Sequence, residues 1–78
     1  MITVNDPAAP TETVVLHRVC HTATQHFFQD SGGTIWSASD ADGANLSPRR
    51  WPSRDAFDQH VRLEKRNSSM FDDLVWAD

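Results

Sequence analysis

The chain predicts an α+β domain: a small antiparallel sheet of about three strands, one main helix packed on one face, and a short C-terminal helix or strand. Three observations carry this. A run rich in Thr and Val occupies residues 13–19. Two further strand-like runs flank the Gly32-Gly33 pair. A stretch with helical apolar spacing follows Pro52 and Ser53.

The elements follow in order. Residues 1–11 hold Pro7 and Pro10 among small side chains. Proline removes backbone donors and the segment has little apolar surface to bury, so a flexible tail is expected. That leaves 12–78 as a single domain. Thr13, Val14, Val15 and Val19 are β-branched and favour an extended chain. A strand is expected there, although Val15, Val19 and Thr22 also fit one helical face. Residues 24–28 form the next strand and 34–38 the one after, with Asp30, Ser31, Gly32 and Gly33 as the hairpin turn between them.

Residues 40–45 are rich in Asp, Gly and Asn and read as a loop. Residues 46–51 suit only an edge strand, because Pro48 lacks a ladder donor. Ser53 caps the helix, and Asp55 sits in its first turn, where the dipole favours negative charge. Ala56, Phe57, His60, Val61 and Leu63 make the apolar stripe. Lys65 and Arg66 close the helix before Asn67, Ser68 and Ser69. Ser69 and Asp72 then form a capping-box pattern, so a final short helix is favoured over a strand at Leu74, Val75 and Trp76.

Phe28, Gly32, Trp36, Gly43 and Ala56 follow the order aromatic strand, glycine turn, Trp strand, glycine loop and helix. In this the chain resembles the YegP-like small domains. The resemblance implies a hairpin-plus-helix architecture and no function.

With 78 residues and a net charge of −4, the chain is one small acidic domain. Its charge is segregated. Residues 1–48 carry one base, Arg18, against five acids; residues 49–66 carry six bases against three acids; residues 67–78 carry only Asp72, Asp73 and Asp78. A uniformly basic nucleic-acid binder is excluded by that pattern. The lone Cys20 excludes an intrachain disulfide. No secretory leader and no apolar run of the roughly 20 residues needed to span a bilayer is visible, so a cytoplasmic, non-membrane protein is expected.

His17, Cys20, His21 and His26 are the zinc candidates, yet their spacing matches no standard finger. On a strand His17 and His21 share a face and Cys20 points away, so no metal and no other cofactor is expected. The same alternation separates Cys20 from its neighbour His21 as a nucleophile–base pair. Asp40-x-Asp42-Gly43-x-Asn45 is oxygen-rich, but Trp51 stands where a calcium loop needs its bidentate Glu. No catalytic residue is assigned and the chain is read as a non-enzyme.

The informative cluster is Arg49, Arg50, Trp51 and Arg54, followed by Arg62 and Arg66. Arginine and tryptophan are the residues most enriched at interface hot spots. Asp72, Asp73 and Trp76 offer a second contact edge. The expected function is a protein-interaction module that inhibits a protein or nucleoprotein complex by steric occlusion, the mode of many phage and mobile-element proteins. The alternatives are a nucleic-acid-binding regulator using residues 49–66 and a zinc-stabilised small domain. Homodimerisation through an exposed sheet edge stays open.

Overall fold

Alternating half-burial begins at the second residue. In the computed structural model, which describes residues 1–43 and 45–77, Ile2 and Val4 point inward and Thr3 and Asn5 outward. They belong to β1 (Ile2–Asp6), which pairs antiparallel with β2 (Ala9–His21). The chain continues through β3 (His26–Gln29), β4 (Ile35–Ala38), β5 (Leu46–Trp51), α1 (Arg54–Asn67) and β6 (Val75–Trp76). The sheet runs β1-β2-β3-β4-β5 as an antiparallel half-barrel, and β6 adds to β2.

This corrects the expected sheet of about three strands with a helix on it. The fold is dominated by its sheet, and the expected tail, residues 1–11, instead carries β1 and the start of β2. Both prolines sit where no ladder donor is required. Pro7 lies in the turn, where Asp6 Oδ1 accepts the Ala8 N–H at 2.9 Å. Pro10 falls in the register shift between the pairs Asn5↔Thr13 and Asp6↔Ala9. The C-terminal segment is a strand and not the favoured helix: Cys20 pairs with Trp76 and His21 with Val75.

The sheet buries both faces. Leu16, Phe28, Trp36 and Ala38 fill one face, covered by Ile2, Val4, Val14 and Leu46. Gly43 closes that side with φ +73°, and an added Cβ there would stand 2.6 Å from Ile2 Cδ1. The opposite side packs on α1 through Cys20, Phe27, Ile35, Trp51, Phe57, Val61 and Phe71. Ser53 Oγ caps α1 by accepting the Ala56 N–H at 3.1 Å. Leu63, expected in the apolar stripe, is 57% exposed. No helix among the described residues is long and apolar enough to cross a membrane.

Candidate binding cleft beside the helix

Two irregularities of register decide which side chains meet. The first lies in β2, between Arg18 and Cys20. Leu16 and Cys20 would share a face of a regular strand, yet they enter opposite cores. The bulge turns the strand over. His21 therefore lies across from His26, their rings stacked at 5.8 Å, while His17 pairs with Gln29 on the other face. The expectation that His17 and His21 share a face is thus corrected. Cys20 is fully buried on the helix side. The four zinc candidates do not converge, and no group of three His, Cys, Asp or Glu does so among the described residues. Arg18 donates instead to His26 Nδ1 at 3.4 Å.

The second irregularity lies between β4 and β5. The step from Trp36 to Ala38 on β4 is matched by a longer step from Arg50 back to Leu46 on β5. Ser47, Pro48 and Arg49 bow away from Ser37 as a result. The gap they open is part of a cleft of about 370 Å³, floored by Trp51 and Phe71 and bordered by Arg49, His60 and Met70. Ser37, Ser39, Ser47 and Thr24 line it with hydroxyls, and no carboxylate among the described residues lines it.

Arg49 reaches over Trp51, 5.2 Å from the ring centroid, and donates to His60 Nδ1 at 3.3 Å. His60 packs against Trp51 at 5.2 Å and Phe71 at 5.7 Å. Burial and the neighbouring Arg49 charge hold its pKa below the ordinary 6.5, while Glu64 one turn on pulls it up. Its ring is therefore neutral near pH 7.

The expected contact patch is divided among three settings. Arg49 and Trp51 border the cleft. Arg50 faces the opposite side of β5, stacked 3.6 Å over Trp36 and bridged to Asp6 at 3.1 Å. Arg54 covers Trp76 at 4.7 Å, and helical geometry sends it to the other flank of the Phe57–Val61 line from His60. Each tryptophan thus lies beneath one arginine. Arg62 pairs with Asp58 at 3.0 Å on the outer helix surface, and Arg66 is exposed near its end. Asp73 Oδ2 accepts the Ala23 N–H at 2.8 Å, tying the last turn to the β2–β3 connection, and Asp72 is exposed.

No family model, curated protein or solved structure matches this chain.

His60, Ser37, Ser47 and Met70 were not singled out as site residues from the sequence. His60 sits three residues after Phe57 and reads as core stripe. Ser37 and Ser47 carry no motif at all. Their meeting depends on the β4–β5 irregularity, for which Pro48 was the one legible sign.

Proposed function

We propose that the chain is a non-catalytic binding module that docks on a larger protein or nucleoprotein complex and obstructs it sterically. One observation carries the reading. The cleft flank of α1 gathers Arg49, Trp51, His60 and Met70, and Leu63 emerges on the same side of the helix. Leu63 and Met70 remain 57% and 49% exposed. Arg, Met and aromatic side chains are the types enriched at interface cores. Covering the two exposed apolar groups would add to affinity, and a lining without carboxylates among the described residues suits a partner that presents acidic or neutral polar groups.

A second reading, a nucleic-acid-binding regulator, rests on the exposed Arg62, Lys65 and Arg66 of α1. Affinity capture from cell lysate, with and without nuclease, separates the two. Arg49→Glu and Leu63→Asp change exposed positions and should leave the fold intact. The docking reading expects one protein retained after nuclease and lost in both variants. Recovery of only nuclease-sensitive material, lost instead on reversing Arg62 and Arg66, would replace it with the second reading.

A further inference from the structure

We infer that the cleft is an oxyanion site, which seats a phosphate or carboxylate group against Arg49 and His60 and takes up a proton as it does so. This rests on the docking reading, because it names the group a partner would bring to the cleft.

The argument begins with the Arg49–His60 contact at 3.3 Å. A guanidinium has only donors, so His60 Nδ1 is the acceptor and the ring proton sits on Nε2. Arg49 thus has a neutral partner. Among the described residues, no lining carboxylate offsets its charge. The neutral groups around it are donors as well as acceptors. Ser47 Oγ accepts the Arg49 backbone N–H at 3.2 Å, which leaves its own proton to donate. Ser37, 7% exposed, offers a hydroxyl toward the floor. An arginine with no carboxylate among its described neighbours in the lining, set among hydroxyls in a half-enclosed site, suits an oxyanion over a cation, which its charge repels. The cleft, about 370 Å³, also has room for the chain that carries the group.

The proton follows from the same contact. The charged groups acting on His60 are Arg49 from β5 and Glu64 from its own helix. Trp51 and Phe71 face it with uncharged rings. An anion beside Arg49 offsets that charge and favours the imidazolium. Protonation converts Nδ1 from acceptor to donor, so Arg49 must release it. Guanidinium and imidazolium then both donate to the ligand.

The test is an NMR titration of the full chain with inorganic sulfate, whose charge is constant across the range, at about pH 5.5 and 7.5. Signals of the His60 ring, the Arg49 side chain and the Trp51 indole report the site. The expected result is saturable shifts at all three, with affinity lower at the higher pH. Arg49→Gln should weaken binding about tenfold or more. Lys65→Gln makes the same charge change at an exposed helix position and should not alter it. His60→Gln should keep binding but lose its pH dependence. Parallel titrations with inorganic phosphate and acetate name the source: equal binding of acetate assigns a carboxylate, and its failure assigns a phosphate.

Shifts that never saturate, or that fall equally in Arg49→Gln and Lys65→Gln, would overturn the site. If a partner is still captured while sulfate titration is null, the oxyanion site alone fails. Saturable sulfate binding with no captured protein removes the docking reading alone.

Discussion

His60 shows how much a single side chain depends on its neighbours. Its folded pKa lies below the ordinary 6.5 because burial and Arg49 disfavour the imidazolium. Between the folded and unfolded values the unfolded chain binds more protons, so stability rises with pH. The contribution is complete above about pH 6.5 and is lost as pH falls through the window below it. Urea unfolding at a series of pH values should therefore show wild-type stability falling more steeply than that of His60→Gln between about pH 7 and 5. Parallel slopes would mean that the imidazole is as free in the fold as in the unfolded chain. Arg50 makes the complementary case. Its charge is engaged by Asp6 at 3.1 Å and by the Trp36 ring. It serves the closure of the half-barrel, whereas Arg49, one residue earlier on the other face, remains available to a ligand.

At the scale of elements, α1 is assembled from local rules. Ser53 accepts the Ala56 N–H, Asp55 stands in the first turn, and Lys65 and Arg66 stand in the last. Phe57 and Val61 are its only buried residues, so the helix is held to the sheet by a narrow stripe. Loss of the cap should therefore be felt by the whole domain. Ser53→Ala is expected to cost about 1 kcal/mol, read as a lower denaturant midpoint with an unchanged slope. Ser53→Asp should restore it, since aspartate also caps and suits the dipole. β2 is the other element of consequence. Its 13 residues serve β1 along the first part and β3 with β6 along the last. The bulge between Arg18 and Cys20 is what allows one strand to feed both cores.

At the scale of the molecule, a chain of 78 residues keeps two small cores, one on each face of its sheet. Neither is large, and small domains have thin stability margins. The core on the face away from α1 has Ile2 and Val4 as part of its cover. A chain lacking residues 1–8 should consequently lose about 2–3 kcal/mol and melt of the order of 10 °C lower. Thermal unfolding followed by tryptophan fluorescence would read this, because Trp36 lies in that core. An unchanged midpoint would return residues 1–8 to the role of a tail. The two faces also divide the labour: one core lies beneath Ile2 and Val4, and the helix side carries the cleft.

Much of what is local was legible in the sequence. β3 and β4 lie where the aromatic runs and the glycine turn indicated, since Gly33, at φ +90°, is a conformational requirement readable from residue type. The helix start and the edge position of β5 follow from Ser53 and Pro48 in the same way. The segregation of charge needed only counting. What tertiary structure decided is what residues distant in sequence do to one another. Residues 1–11 look like tail when taken alone, and become strand because β2 and the core on the face away from α1 give Ile2 and Val4 somewhere to be buried. The arginine run looks like one patch, and becomes three because strand alternation and helix phase send Arg49, Arg50 and Arg54 in different directions. The cleft exists because β5 carries extra chain opposite Ser37, which brings Arg49 to His60. Register is set by the burial of whole faces and not by the residues at the irregularity, so no local pattern announces it.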